Sequence, residues 1–389
     1  MTSAKAVIVG ISESDYRKRG GIDDRSELAI ACDVIAAAAR DAGVQVADID
    51  GLVSYAGDRN EPPLVQDALG LPNIRFSAMA WGGGGNGAVA PLHYAKMAIE
   101  SGYAHSVVVY RALCQGQFRR FGQFNPERPG NNFLAPFGMF SPPILLAPVV
   151  QRYMYEHGIT REHLGEVALT CRDNAQRNPR AVTYGRPLTM DAYLAGRPIA
   201  TPLTLFDCCQ ESDGACALLV TTHERARNLK QSPVRILGTA HGNDSGWGTG
   251  GFAAHNMPRA SYGSGNGRAV ARQVYDRAGV NPKDIQVAQI YDHFTPFVLM
   301  ALENYGFCEV GGAGDFVARG SIRWNGGRLP INTAGGNLSE GYIHGLNLSV
   351  EGVRQIRRTS TSQVAGAEVC LIAGALGGSL TSAAILGAD

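Results

Sequence analysis

The 389-residue chain has few charged residues and almost no net charge. Lys and Arg number 35 and Asp and Glu 34, and together they make up 18% of the sequence, compared with about 25% in an average soluble domain. This balance provides no basic field for nucleic acid or for an acidic membrane. Low charge combined with 49 glycines indicates extensive internal packing or a large subunit interface, with many tight turns.

The sequence also lacks a long apolar run and any Cys-x-x-Cys pair. No stretch reaches the roughly 18 apolar residues that a membrane-spanning helix needs, and the N-terminus reads as a strand from Lys5 rather than as a secretory leader. Eight scattered cysteines fit neither a zinc framework nor a small disulfide-rich domain. We therefore expect a cytoplasmic protein.

An internal repeat is the strongest organisational signal. Residues 27–55 and 268–291 each read as an amphipathic helix, a glycine turn and a buried strand that ends on a tyrosine, Tyr55 or Tyr291. Each copy follows another apolar strand, so each predicts a right-handed parallel crossover. The positions of Tyr55 and Tyr291 are expected to be equivalent, on a central strand of each half.

The repeat predicts an α/β fold with two duplicated βαβαβ halves and parallel-rich sheets. We place the halves at residues 1–228 and 233–389. Residues 113–200 interrupt the first half with a segment rich in Phe, Pro, Gly and Asn, which predicts an inserted loop domain that forms a lid or a binding surface. Residues 153–178 within it are expected to be helical.

For two motifs, a purely structural role is favoured over a functional one. The glycine run at residues 82–87 contains a G-x-G-x-x-G, but it does not follow the first strand of a βαβ unit, so a tight strand-to-helix turn is favoured over nucleotide binding. Cys208 and Cys209 lie beside carboxylates and have no cation nearby in sequence. A buried turn at Asp213-Gly214 is therefore favoured over a nucleophilic thiol.

Two other clusters favour a functional site. Tyr291, Asp292 and His293 directly follow a buried strand, where polar side chains reach the ligand crevice of an α/β sheet. The glycine-rich segment at residues 335–345 places Tyr342 and His344 two residues apart ahead of a helix. For two Tyr-x-His units at loop positions, a functional site and a structural role both stay open.

These segments resemble a known family over essentially the whole chain. The duplicated halves with an inserted loop domain resemble the thiolase fold. The segments LDCCQESDGA, YDHFTPF and NTAGGNLSEGYIHG resemble the lipid-transfer-protein branch of that superfamily, in particular the steroid side-chain-cleaving retro-aldolases.

The resemblance also shows what a working thiolase has and this sequence lacks. The turn that carries the thiolase nucleophile is here residues 81–86 and contains no cysteine. The thiolase catalytic His falls on Tyr342, the oxyanion-site Asn or His falls on Tyr291, and the acid/base Cys falls near residues 374–375. Because an acyl-enzyme requires a nucleophile, condensation through an acyl-cysteine is disfavoured.

The resemblance implies retro-aldol cleavage of a β-hydroxyacyl-CoA, namely a 17-hydroxy steroid side-chain thioester that yields a 17-ketosteroid and propionyl-CoA. We expect Tyr291 and Tyr342 to transfer protons, and which of them is the base stays open. His293 and His344 are expected to lower a tyrosine pKa or to donate to the enolate oxygen. The expected substrate-binding residues are Asp292, Gly82, Gly83, Asn337 and Gly377.

The resemblance further implies a homodimer within a heterotetramer, formed with a small partner of the DUF35 type that contains an OB-fold and a zinc ribbon. No metal or cofactor is expected on this chain, since CoA enters as part of the substrate and zinc belongs to the partner. Three alternatives stay open: a non-catalytic acyl-CoA- or lipid-binding subunit, an aldolase for another side-chain length, and a hydrolase that uses Cys208 or Cys209.

Overall fold

The computed structural model describes residues 5–82, 84–118, 134–246, 264–378 and 380–389. Its strands are β1 (Ala6–Glu13), β2 (Arg17–Lys18), β3 (Gly51–Tyr55), β4 (Phe76–Ala80), β5 (Ser106–Cys114), β6 (Pro198–Ala200), β7 (Leu203–Thr204), β8 (Ser212–Thr222), β9 (Val234–Gly242), β10 (Val287–Ile290), β11 (Val369–Ala373) and β12 (Thr381–Gly387). Its helices are α1 (Glu27–Ala42), α2 (Pro62–Leu69), α3 (Ala90–Glu100), α4 (Pro142–His157), α5 (Arg161–Ala175), α6 (Met190–Leu194), α7 (His223–Ala226), α8 (Arg268–Ala278), α9 (Thr295–Asn304), α10 (Ala313–Ala318), α11 (Gly336–Ser339) and α12 (Leu346–Arg357). Within these ranges, no helix is long and apolar enough to cross a membrane.

Ten strands form one mixed sheet in the order β10-β11-β12-β9-β1-β8-β5-β3-β4, with β2 paired to β8 beside this path. The pairs β3–β4, β3–β5 and β10–β11 are parallel, whereas β8 and β12 run antiparallel to their neighbours. In each half, every strand on the path except one therefore points the same way. The predicted parallel-rich α/β fold is confirmed.

The two halves repeat the same strand order outward from the antiparallel β1–β9 pair. Strand β3, which ends at Tyr55, lies next to β5, and β10, which precedes Tyr291, lies next to β11. The two tyrosine positions are thus equivalent, as the repeat predicts. However, β3 and β10 lie toward opposite ends of the sheet, so the prediction that they are central strands is wrong. The strands β8 and β12 lie closer to the middle of the sheet, where they pair with β5 and β11. The domain boundaries stay a prediction.

Helix α12 lies in the middle of the fold, where it packs with α3 against strands of both halves. Ten of its twelve residues are buried, which is typical of a helix enclosed on all sides. Two of its polar side chains donate to neighbouring residues: Asn347 donates to Glu340 over 3.0 Å, and Gln355 donates to Thr333 over 2.9 Å. This central helix supports the loop that carries Tyr342 and His344.

The described part of the insertion is mostly helical. Residues 153–178, which are expected to be helical, contain the end of α4 and the whole of α5, with a break between the two helices. Gly158 breaks the run because it adopts a left-handed conformation (φ 63°) that caps α4, and Thr160 begins α5 with a capping box. Helix α5 packs against α9, α10 and α11, so the insertion is in contact with the C-terminal half.

Candidate active site

The two equivalent tyrosines have different contacts. The Tyr55 hydroxyl donates to the carbonyl oxygen of Ala88 over 2.8 Å and is fully buried. Tyr291, just beyond β10, continues the strand pairing through its backbone N–H, which donates to Ala373 over 2.9 Å. Its ring lies instead beside that of Tyr342. The duplication therefore supplies one structural tyrosine and one site tyrosine.

Tyr291 and Tyr342 form a buried pair, with ring centroids 6.4 Å apart and planes at 72°. Burial raises the pKa of both phenols above the ordinary value, so both are protonated near neutral pH. A side-chain hydrogen bond between them raises the pKa of Tyr291 further and acts to lower that of Tyr342. Of the two phenols, Tyr342 is therefore the one whose anion this interaction favours.

The two histidines lie beside this pair, as the Tyr-x-His spacing predicts. The His293 ring is 5.5 Å from that of Tyr291, and the His344 ring is 5.2 Å from that of Tyr342. Burial lowers the pKa of His293 to about 3 and that of His344 well below its ordinary value. Both rings are therefore neutral near pH 7 and place no positive charge beside the phenols, and the expected roles of His293 and His344 stay predictions. Each ring retains one N–H donor.

Glycines make room for the Tyr291 ring. A Cβ on Gly85 would lie 2.2 Å from Cζ and 2.5 Å from the hydroxyl oxygen of Tyr291. A Cβ on Gly345 would lie 2.6 Å from Cδ2 on another part of the same ring. The turn that carries a nucleophilic cysteine in thiolases, according to the resemblance, is therefore where the phenol of Tyr291 packs in this chain.

Replacing Gly85 with alanine should displace the Tyr291 ring and lower kcat by about tenfold or more, since small misplacements of reacting groups are costly. Gly242→Ala is the matched control, because the nearest atom to its added Cβ is 3.7 Å away. Steady-state turnover and thermal unfolding should be measured for both. Equal turnover in the two variants would contradict the packing argument.

The other predicted glycines have structural surroundings. Gly82 has a positive φ of 108°, and its position is close to Gly87 in the same turn. Gly83 lies outside the described residues. A Cβ on Gly377 would lie 2.6 Å from the Phe297 ring, which in turn packs 4.7 Å from the His293 ring. Contact of these positions with substrate stays a prediction.

Asp292 anchors the loop that leads to Tyr342. Its buried carboxylate accepts the backbone N–H groups of Asn337 over 2.8 Å and Leu338 over 3.1 Å, and burial raises its pKa to about 6. The structure thus gives Asp292 a role in joining β10 to α11. The Asn337 carboxamide is also buried, and neither of its polar atoms has a hydrogen-bond partner among the described residues. It is a candidate donor to a ligand oxygen.

Neither adjacent thiol is activated. The Cys208 thiol donates to the carbonyl oxygen of Thr204 over 3.4 Å, and burial raises its pKa to about 12. Burial also raises the pKa of Cys209 well above its ordinary value. The expected turn at Asp213-Gly214 is wrong, because both residues lie within β8, and the Asp213 carboxylate accepts backbone N–H groups of neighbouring loops. A nucleophilic thiolate is disfavoured here.

We expect Cys208→Ala and Cys209→Ala to keep turnover within about tenfold of the parent, a barrier change below about 1.4 kcal/mol. The reason is that neither thiol is ionised or required by tyrosine-based proton transfer. Cleavage rates should be measured alongside circular dichroism of each variant. A loss of several thousandfold in a folded variant would restore the nucleophile hypothesis.

Two buried acidic residues near the site were not singled out from the sequence as site residues. Asp207 accepts hydrogen bonds from the hydroxyl groups of Tyr193 over 2.5 Å and Thr295 over 2.6 Å, which fixes the start of α9 two residues after His293. Asp58 forms a buried ion pair with Arg111 of β5, with Nη1 2.7 Å from Oδ2. An arginine within an otherwise apolar strand was the available signal. Arg119 and Arg120 of the insertion, for which the sequence favours a solvated surface position over contact with a substrate phosphate, lie outside the described residues.

The chain is similar to one family model and to several known proteins. Residues 253–387 match the family model described as "Thiolase C-terminal domain-like". The chain is 42% identical to the 17-hydroxy-3-oxo-4-pregnene-20-carboxyl-CoA lyase of Mycobacterium tuberculosis, with 100% of both chains covered. It is 40% identical to the steroid side-chain-cleaving aldolase of Thermomonospora curvata, covering 99% of this chain and 98% of that protein. A solved structure described as "Ltp2-ChsH2(DUF35) aldolase" superposes with a TM-score of 0.92 at 40% identity, covering 99% of this chain and 98% of that one.

Proposed function

The chain belongs to the steroid side-chain-cleaving aldolases of the thiolase superfamily, and we propose that it catalyses retro-aldol cleavage of a 17-hydroxy steroid side-chain CoA thioester to a 17-ketosteroid and propionyl-CoA. The observation that carries the proposal is the buried pair of Tyr291 and Tyr342, whose ring centroids are 6.4 Å apart. A retro-aldol reaction needs two coupled proton-transfer groups, and it does not need a nucleophile for acyl transfer.

The first half of the reaction breaks the carbon–carbon bond. Tyr342, as its phenolate, accepts the proton of the β-hydroxyl group, and the carbon–oxygen bond becomes the ketone carbonyl. The electron pair of the Cα–Cβ bond moves into the thioester, which becomes an enolate. The thioester carbonyl is the electron sink, so no metal or Schiff base on this chain is required. The Asn337 amide and the neutral imidazoles are the candidate donors to the enolate oxygen.

The second half restores the enzyme. The Tyr291 hydroxyl donates its proton to the α-carbon of the enolate, which gives propionyl-CoA. The proton that Tyr342 has gained then passes to Tyr291 through their shared hydrogen bond. We assign Tyr342 as the base because its interaction with Tyr291 acts to lower the pKa of Tyr342 and raises that of Tyr291. Both phenols are buried, so substrate binding must open the site and exclude water from the enolate.

This assignment predicts a cleavage rate that rises with pH. The pKa of Tyr342 lies above its ordinary value, so below it the phenolate fraction grows about tenfold per pH unit. We expect kcat to increase from pH 6 to pH 9, with no inflection from His293, whose pKa is about 3. A stopped assay in buffers of constant ionic strength measures this profile. A rate that falls over this range would contradict a tyrosine base.

We further propose a partner of the DUF35 type, with an OB-fold and a zinc ribbon that carries the zinc, bound to a homodimer of this chain in a heterotetramer. The support is the similarity to the structure described as an Ltp2-ChsH2(DUF35) aldolase. Co-expression followed by multi-angle light scattering should give the mass of two copies of each chain. A lone monomer under the same conditions would contradict the assembly.

The test of function is incubation of the purified chain, with and without this partner, with a 17-hydroxy steroid carrying a three-carbon CoA thioester side chain. Equal amounts of 17-ketosteroid and propionyl-CoA are expected by liquid chromatography and mass spectrometry. Thioester binding without either product would favour a non-catalytic binding subunit. If only a longer or shorter side chain is cleaved, the proposed reaction stands and the proposed substrate is wrong.

A further inference from the structure

The N-terminal half contributes a buried ion pair that lies near Tyr291 and Tyr342. The side chains of Arg111 and Asp58 are 5% and 0% exposed, and their charged atoms are 2.7 Å apart. Asp58 is held in turn by the backbone N–H of Asn60 over 2.9 Å and by the hydroxyl of Ser54. Charges removed from water are costly, so an arginine on β5 that faces the interior needs a reason other than packing.

Arg111 is connected to Tyr342 through a short series of packed rings. Its guanidinium carbon is 5.4 Å from the Tyr55 ring, the Tyr55 and His344 rings are 6.3 Å apart, and the His344 and Tyr342 rings are 5.2 Å apart. The Tyr55 hydroxyl is directed to Ala88, and the His344 ring is neutral. Neither ring therefore carries a charge that would cancel the field of the guanidinium in this water-poor interior.

We propose that Arg111 is a positioning residue whose buried charge stabilises the phenolate of Tyr342, while Asp58 holds the guanidinium in place and limits its effect. The inference rests on the proposed function, since it concerns the base of that reaction. It gives Tyr342 the cation that neither neutral histidine supplies. It also makes the N-terminal half contribute to a site whose two phenols come from the C-terminal half.

Other groups around Tyr342 act in both directions. Burial is the largest influence and raises its pKa; Cys209 and Glu211, just before β8, raise it further, whereas Tyr291 and Arg111 lower it. Arg111 also lowers the pKa of His344, after burial. Among the described residues, these are the groups whose charge or hydrogen bond acts most strongly on Tyr342, and Arg111 is the one fixed cation.

The remaining charged neighbours lie on the elements that carry the site. Glu340 precedes Tyr342 in the same loop, and its buried carboxyl, with a pKa of about 8 because of burial, accepts from Asn178 and Asn347. Asp292 faces the loop from the end of β10. Arg59 follows Asp58 and pairs with Glu27. These groups stay constant in the variants below, so changes can be attributed to the Arg111–Asp58 pair.

The test is a direct titration of the phenol at position 342. Trifluorotyrosine placed there has a much more acidic hydroxyl, so its ionisation falls in a range where the protein is folded, and the phenolate absorbance is read in the ultraviolet. The midpoint is expected to be lowest in Asp58→Asn, higher in the parent, higher again in the double variant Arg111→Met/Asp58→Asn, and highest in Arg111→Met. Successive midpoints should differ by up to about one pH unit.

The variants keep the proposal falsifiable if one of them is unstable. Arg111→Met leaves a buried unpaired carboxylate and is the variant most at risk of unfolding, whereas the double variant leaves no unpaired charge. Arg111→Lys should stay near the parent midpoint. The matched control is the Arg357–Asp41 ion pair, 3.0 Å apart with a buried arginine, where Arg357→Met and Asp41→Asn should leave the midpoint unchanged.

The outcomes separate this inference from the proposed function. Midpoints that coincide across the variants, or that all move in one direction, would overturn the role of Arg111. Lack of cleavage by the parent enzyme would overturn the function and leave the titration intact. In the active enzyme, the double variant should lower kcat by about tenfold, the change that one pH unit in the base produces, with KM changed far less. A selective rise in KM would instead indicate a substrate contact.

Discussion

Replacing Tyr342 with phenylalanine is expected to lower kcat by a factor of about 10² to 10⁴, the usual contribution of a general acid–base group. The ring keeps its volume and its contact with the Tyr291 ring, while the only group assigned to take the β-hydroxyl proton is lost. Substrate affinity should change far less. Single-turnover cleavage and equilibrium binding of the substrate thioester measure the two effects separately.

Tyr275→Phe is the matched control for this substitution. The Tyr275 hydroxyl also makes one hydrogen bond inside the protein, to the carbonyl oxygen of Tyr305 over 2.9 Å, but it lies on α8 and outside the site. Its loss should cost about 1 kcal/mol of stability and leave kcat unchanged. Full activity in Tyr342→Phe would remove Tyr342 from the mechanism and direct attention to the neutral imidazoles of His293 and His344.

Tyr291→Phe is expected to lower kcat by a similar factor of about 10² to 10⁴. It removes the proton donor to the enolate and also the hydrogen bond that favours the Tyr342 anion. Because the two phenols act in one coupled transfer, the double variant should be much less than multiplicatively worse than either single variant. Double-mutant kinetics measure this coupling. Strictly multiplicative losses would mean that the phenols act in independent steps.

The parts of the fold that could be predicted are those with strong apolar patterning. The helix Leu346–Arg357 and the strand that ends before Tyr291 have clear patterns and lie where expected. The break between α4 and α5 depends on one left-handed glycine, Gly158, within a pattern that remains helical on both sides. The strand order within each half depends on pairings between distant segments, which the local sequence does not contain.

The candidate site also has some features that could be predicted from the sequence and others that could not. Tyr291, Tyr342 and their histidines could be identified because each unit lies in a short motif, and the structure brings the four rings together. The charge state of the histidines could not be predicted, since it depends on burial by the whole fold. The Arg111–Asp58 pair was missed because its partners lie on different elements and only the folded sheet brings them together.

The central claim, a carbon–carbon cleavage through a thioester enolate, is tested most directly by running the reaction in deuterium oxide and analysing the acyl-CoA product by mass spectrometry. The account predicts propionyl-CoA with one deuterium on the carbon next to the thioester carbonyl, because Tyr291 delivers a solvent-exchanged proton to the enolate. It also predicts one 17-ketosteroid per propionyl-CoA. Free CoA with an intact steroid acid, or propionyl-CoA without deuterium, would contradict the account.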